Sequence, residues 1–411
     1  MTDVIVIGAG VVGITTALQL RLAGLDVLLL DRDQPAVGAS SGNAGGLAVS
    51  EVLPLAEPGM LLKVPGWMLD PMGPLAVRWR HLPSLLPWLL RFVAASRPGQ
   101  VEALSRQLAM LLGRVNADYE ALLGDEAPVE MWRRQGALAV YPSDAALRRD
   151  LPRWEERGKL GVRWEACDPT RVPQEEPALR TPWQHAVAIP DWSHVDDPYL
   201  FSLALFERFV AAGGQFRQEA VADLLEMNGV IDGVRLASGD TLRSGNTVVT
   251  AGVWSDRFAR RVRQPMPLES ERGYHLTLPK AGLKLNRYLL NATESFVILP
   301  MANGGLRLAG TVELASRDAA PDYRRSHILL DKAQAMLGPL DTTGMTSWMG
   351  NRPSVPDTVP VIGPSARRRN LFFATGHGHL GLTLAATTGA LLRDHLTGVS
   401  EIPEALRPSR Y

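Results

Sequence analysis

The chain has 411 residues, 46% hydrophobic and 21% charged, with 43 Lys+Arg against 43 Asp+Glu. That length implies more than one core, and the neutral balance argues against bulk electrostatic binding of nucleic acid. A single cysteine, Cys167, excludes an internal disulfide or a cysteine-based metal cluster and fits a reducing compartment; no metal site is expected.

The first stretch, "DVIVIGAGVVGITTALQLRLAGLDVLLLDRD", runs from Asp3 to Asp33. Val4 to Ile7 is apolar and β-branched, which predicts a buried parallel strand. Gly8, Gly10 and Gly13 follow as G-x-G-x-x-G, Val12 to Ala23 reads as a helix, and Val27 to Leu30 as a second strand ending at Asp31. Gly8 serves the tight turn, Gly10 the close approach of a pyrophosphate, and Gly13 the packing of helix on strand; the helix N-terminus faces the phosphates. Asp31 lies 18 residues after Gly13, where a carboxylate can accept from a ribose hydroxyl. This unit predicts a dinucleotide site but does not choose between NAD and FAD. Arg32 would suit a 2′-phosphate, or simply solvent.

"GASSGNAGGL", Gly38 to Leu47, offers little bulk and many backbone N–H groups, so an anion or a flat ring can come close. Ser40, Ser41, Asn43, Ala44 and Gly45 are its candidate cofactor residues. No signal peptide is visible and no run of apolar residues is long enough to span a bilayer. The expectation is a cytoplasmic protein, or one peripheral on the inner face of the cell membrane. Residues 61–98 carry Trp67, Trp79 and Trp88 with Lys63, Arg78, Arg80, Arg91 and Arg97 among leucines, and Pro83 and Pro87 divide them into short apolar pieces. Such a composition suits a segment lying on a membrane surface, and equally short amphipathic helices packed on the rest of the chain.

Val221 to Ala259 reads as a three-stranded meander punctuated by Asn228-Gly229, Asp232-Gly233 and Gly239-Asp240. A buried strand from Thr247 to Thr250 then ends in Ala251-Gly252 before a helix at Trp254-Ser255. Small residues at a strand's carboxyl end suit a cofactor edge, so Val221, Ala251, Gly252 and Trp254 join the candidates. "RGYHLTLP", Arg272 to Pro279, predicts a strand. Near the end, "FFATGHGHLGLTLAATTGALL" carries an apolar run into a glycine bend and then a helix.

In that order the N-terminal motif, "ASSGNAGGL", "VVTAGVWS", "GNRPSVPDTVPVIG" (Gly350 to Gly363) and "ATGHGHLGLTLA" resemble the FAD-dependent D-amino-acid oxidase/dehydrogenase family, bacterial D-amino-acid dehydrogenases above all, including those acting on cis-4-hydroxy-D-proline. The resemblance covers most of the length and is loosest from Glu51 to Asp191. It implies an α/β fold: a Rossmann-type FAD-binding domain (1–50, 195–262, 346–411) interleaved with an α+β substrate domain containing an antiparallel sheet (51–194, 263–345). It implies that the C-terminal bend, with Gly378, His379, Leu380, Gly381, Leu382 and Thr383, meets the flavin opposite the N-terminal loop. It also implies oxidative deamination of a D-amino acid by hydride transfer from Cα to flavin N5, with Arg352 at the family's "RP" position anchoring the substrate carboxylate.

Such a reaction depends mainly on positioning and desolvation, so no triad is required, and an arginine fork suits a carboxylate. Tyr274 is a candidate second donor and His275 its neighbour; Tyr288 and Arg307 rank behind them. FAD is expected to be non-covalent, since no cysteine lies near the arginine or the bend. The implied partners are a small D-amino acid or cyclic imino acid and a quinone or other electron acceptor, with a membrane surface as a further contact. A glycine- or sarcosine-type or other secondary-amine oxidase, and an NAD(P)-dependent reductase, remain alternatives.

Overall fold

A computed structural model describes residues 2–56, 73, 75–125 and 128–411. Its first large sheet has a parallel core in the order Gln215–Gln218, Val27–Asp31, Thr2–Ile7, Thr241–Val249, Leu371–Thr375. Alternate residues of the first strand feed two cores. Val4 and Val6 pack with Ile14, Ala17 and Leu18 of the helix Val11–Leu22, and Ile5 and Ile7 pack with Phe258 and Val234 on the opposite face. Burial on both faces is why these strands read as unbroken apolar runs.

The meander is present as Val221–Met227, Val230–Leu236 and Thr241–Val249. The sequence reading split its last strand in two; the structure keeps one strand, paired antiparallel at Thr241–Arg243 and parallel further on. Helices from the two ends of the chain pack together. Thr15 Oγ1 donates to Ala385 O at 3.0 Å and Gln19 Nε2 to Ala386 O at 2.7 Å. A Cβ at Gly389 would stand 2.7 Å from Gln19 Nε2, so glycine permits this approach.

The second sheet runs Thr346–Ser354, Glu269–Leu278, Leu306–Leu314, Phe296–Pro300, Tyr288–Asn291, Ala137–Tyr141, His185–Ile189, Glu165–Ala166. It is antiparallel except where Tyr288–Asn291 meets Ala137–Tyr141 and where Leu75–Val77 joins Leu306–Leu314. The helix Arg324–Leu337 covers one face, through Leu329, Ala333 and Met336 against Leu276 and Leu308. The strand Thr346–Ser354 is hydrogen-bonded to Glu269–Leu278 and so belongs to this sheet. The boundary expected at 346 therefore falls too early, because cross-strand pairing, not the glycine spacing, sets it.

Of residues 61–98, Lys63, Trp67 and Asp70 lie outside the described residues. The prolines do not break the rest as expected: Leu82–Ala95 is one helix. Pro83 sits in the first turn, where N–H groups lack partners anyway, and Pro87 forfeits a single bond one turn later. Among the described residues no helix is long and apolar enough to cross a membrane.

Candidate active site

Between the two sheets lies a cavity of about 910 Å³, at the upper end of ligand pockets. Gly8, Gly10, Asp31, Arg32 and Asp33 line one end, and Glu271, Arg352 and Tyr288 line another part. Gly378, His379, Gly381 and Leu382 line it too, so the glycine motifs of both chain ends share one space.

The dinucleotide end is built from backbone. Gly8 has φ +113°, and a Cβ there would stand 2.6 Å from Thr250 O. Thr250 Oγ1 donates to Ile7 O and Gly8 O, both at 2.9 Å. Gly13 is set back from the cavity; a Cβ on it would overlap Gly8 O and stand 2.6 Å from Thr250 Oγ1. The helix begins at Gly10 with no side-chain cap, so its positive end faces the cavity. Asp31 Oδ2 accepts from Ala9 N–H at 2.6 Å and Oδ1 from Asp33 N–H at 3.0 Å, which fixes the carboxylate at the strand tip. Val221, Ala251, Gly252 and Trp254 complete this wall. Arg32 lies 4.4 Å over the Trp254 ring and pairs with Asp33 at 2.9 Å.

The two small-residue segments close on the middle of the cavity. Ser40 Oγ accepts from Val11 N–H at 2.9 Å, drawing the Gly38–Leu47 loop onto the helix start. Asn43 and Ala44 line the space, whereas Ser41 turns its hydroxyl to Gly38 O at 3.0 Å and Gly45 packs against Leu299. Thr383 Oγ1 accepts from Ala48 N–H at 3.1 Å and donates to Gly46 O at 3.3 Å, tying the C-terminal bend to this loop. Leu380 is in the core and, like Thr383, does not reach the cavity wall. Arg307 is structural: it is buried and donates to Asn43 O at 2.8 Å, and burial pulls its pKa down.

Side chains of the second sheet form the remaining wall. Arg352 Nη1 donates to Glu271 Oε1 at 2.9 Å, and Ser354 Oγ to Glu271 Oε2 at 2.6 Å. The guanidinium lies across Gly273, where a Cβ would stand 2.5 Å from Nη2. Burial would raise the Glu271 pKa, but Arg352, His379 and these hydrogen bonds outweigh it and hold the group below its ordinary value. Trp348 lies over Gly42 and stacks on His275 at 5.0 Å.

Two expected residues sit differently. Tyr274 borders the cavity, but its hydroxyl donates to Glu313 Oε2 at 2.7 Å and accepts from Asp322 N–H at 3.1 Å. Strand alternation sends it, with Arg272, to the opposite face, where Arg272 pairs with Glu313 at 2.9 Å. His275 is buried beneath Trp348, outside the cavity wall, with Nδ1 3.0 Å from Gly42 O; burial pushes its pKa down to about 3. The Tyr274 hydroxyl is thus spent within the protein, and His275 does not line the cavity. Tyr288, ranked behind them, is buried on the cavity wall, and no hydrogen bond to its hydroxyl occurs among the described residues. Burial raises its pKa.

Residues 3–395 match the family described as DAO: FAD dependent oxidoreductase. The chain belongs to this family. It is 36% identical to a D-amino-acid oxidase of Bradyrhizobium diazoefficiens, over 99% of this chain and 98% of the relative. It is 32% identical to a D-amino acid dehydrogenase of Dechloromonas aromatica, over 98% of each. The glycine oxidase structure of Geobacillus kaustophilus superposes with a TM-score of 0.75 at 20% identity, covering 100% of this chain and 99% of that one. The protein is thus an FAD-dependent oxidoreductase with the fold that its sequence implied. The open helix start, the fixed Asp31 carboxylate and the two small-residue segments are the donor set such a dinucleotide needs.

Glu271 and Trp348 went unnoticed in the sequence. Alternation along "ESERGYHLTL" was the available signal for Glu271, since it shares a face with Gly273. Trp348 carried no local signal. Its place depends on Gly42, 306 residues earlier.

Proposed function

We propose that this protein oxidises a small D-amino acid to the imino acid, which water then hydrolyses. The observation that carries this reading is the half-buried Arg352, placed over Gly273 on the cavity wall with Glu271 gripping one nitrogen. Its remaining donors form a fork suited to a substrate carboxylate. The names of the curated relatives supply the D-amino-acid class.

FAD, when bound, supplies the two-electron acceptor. Gly8, Gly10, Asp31, Ser40, Asn43, Ala251 and the Gly378–Leu382 bend would hold it. Arg352 orients the substrate through its carboxylate, Tyr288 offers a hydroxyl beside it, and Trp348, Trp88 and Phe92 exclude water. Cys167 lies outside the cavity wall, consistent with non-covalent FAD.

A quinone at a membrane surface is the proposed acceptor. Trp79 (73% exposed), Leu86 (52%) and Leu90 (63%) form an outward apolar face beside exposed Arg80, Arg91 and Arg97, while Trp88, Leu89 and Phe92 of the same helix line the cavity. The test is anaerobic. A D-amino acid should bleach the yellow protein and its L-enantiomer should not; absence of bleaching by either ends this reading. Adding oxygen or a quinone to the reduced protein then identifies the acceptor, and sedimentation with anionic vesicles tests the surface.

A further inference from the structure

The carboxylates that line the cavity are Asp31, Asp33, Glu51, Asp150 and Glu271. Four are already engaged. Asp31 holds two backbone N–H groups, Asp33 pairs with Arg32, Asp150 accepts from the Tyr141 hydroxyl at 2.6 Å, and Glu271 is held by Arg352 and Ser354. Among the described residues Glu51 alone of these has no hydrogen bond or ion pair to its carboxylate. It is half-buried on the cavity wall, where a cationic group of a ligand can pair with it.

Its location is the substrate end. Glu51 lines the cavity with Trp192, Tyr288 and His379; Trp192 is hydrogen-bonded to the preceding residue Ser50 and its ring centroid lies 5.4 Å from that of Tyr288. The Glu51 charge accordingly acts on Tyr288 and His379, as that of Arg352 does. The backbone beneath it is fixed: Arg157 Nε donates to Ser50 O at 3.2 Å, and Trp192 Nε1 to Ser50 Oγ at 2.8 Å. Arg352 and Glu271 form a pair with no net charge, so the cavity wall carries both a fork for a carboxylate and a free anion. An amino-acid zwitterion matches both.

We propose that Glu51 binds the substrate ammonium and accepts its proton. This rests on the amino-acid reading above. The N–H bond breaks, an O–H bond forms on the carboxylate, and the amine keeps the lone pair that assists departure of the Cα hydrogen. The charge-neutral pair of ammonium and carboxylate becomes a neutral amine and a neutral acid, so no charge is left stranded in the cavity. Desolvation opposes a positive charge on the half-buried His379 and lowers its pKa, burial raises the pKa of the Tyr288 hydroxyl, and the guanidinium groups of Arg157 and Arg352 offer donors only, which leaves the Glu51 carboxylate as the acceptor.

The test uses holoenzyme with Glu51→Gln and Glu51→Asp, a D-amino acid that bleaches the wild type, and benzoate as a carboxylate lacking an amine. Both ligands are read by perturbation or bleaching of the flavin spectrum. Glu51→Gln should weaken amino-acid binding by about tenfold or more. It should leave benzoate binding unchanged or tighter, and make the bleaching rate climb with pH toward the pKa of the free amino acid. Glu51→Asp should restore the wild-type pH profile with weaker binding. Equal weakening of both ligands, or an unaltered pH profile in Glu51→Gln, overturns the proposal. A wild type that no amino acid bleaches fails earlier and sinks the functional reading together with this one.

Discussion

The two ends of the cavity are made of different materials. The dinucleotide end is backbone: Gly8, Gly10 and Gly13, with Thr250 bracing two carbonyls. The proposed substrate end is long side chains, with Arg352, Glu271, Tyr288, Trp348 and Glu51 converging from strands and loops far apart in the chain. A backbone site is steric and close to all-or-none. A side-chain site is electrostatic and can be graded by substitution.

That contrast predicts where damage should be largest. Gly13→Ala puts a methyl into Gly8 O, a backbone atom that cannot swing away, and should cost about 3 kcal/mol or more while abolishing flavin retention. The ratio of flavin to protein absorbance and a thermal melt will measure it; a yellow, stable Gly13→Ala protein would break the comparison. Arg352→Met comes next. It removes the fork and leaves Glu271 buried without its cation, so KM should rise about a hundredfold and stability fall by about 3 kcal/mol. Combining it with Glu271→Gln should recover much of the stability and none of the KM, which separates the two effects.

The tyrosines sharpen the same contrast on a finer scale. Tyr288→Phe should raise KM several-fold with little change in stability, since its hydroxyl has no protein partner among the described residues. Tyr274→Phe should leave KM within about twofold but lower stability by about 1 kcal/mol, through loss of the bond to Glu313. If the kinetics respond the other way round, the assignment of faces on Glu269–Leu278 is wrong.

The smallest expected effect is on pH. His275 has its pKa depressed to about 3 in the folded protein, below the ordinary histidine value near 6.5. The unfolded chain therefore binds the extra proton first as pH falls. Stability attributable to this site is complete above about pH 6.5 and declines as pH drops toward 3, with a slope of at most about 1.4 kcal/mol per pH unit. His275→Gln should flatten that part of the profile in urea melts; an unchanged slope would show that His275 is not buried neutral beneath Trp348.

The resemblance to a flavoprotein family rested on the backbone end and on the "RP" motif, and those were legible because their function is encoded by residue type at fixed local spacing. Gly8, Gly10 and Gly13 announce a close approach wherever they follow a buried strand. The bonds of the Tyr274 hydroxyl to Glu313 and Asp322 were not legible, because being a tyrosine in that strand does not say which face it takes; a register shift between Tyr274 and His275 lies in that very strand. The prolines at 83 and 87 suggested breaks, yet the helix Leu82–Ala95 absorbs both because they fall near its start.

By itself, then, the sequence determined the dinucleotide site and the paired glycine segments, since each is a local pattern with a local steric cause, and the order of its motifs carried the resemblance that named FAD and proposed Arg352 as the anchor. Only the tertiary structure decided which carboxylates are spent and which is free. Glu271 is neutralised by a strand 81 residues away, Glu51 on the same cavity wall has no partner among the described residues, and Trp348 closes on a glycine near the other end of the chain. Charge balance in a cavity is a property of what meets there, and the spacing of residues along the chain does not contain it.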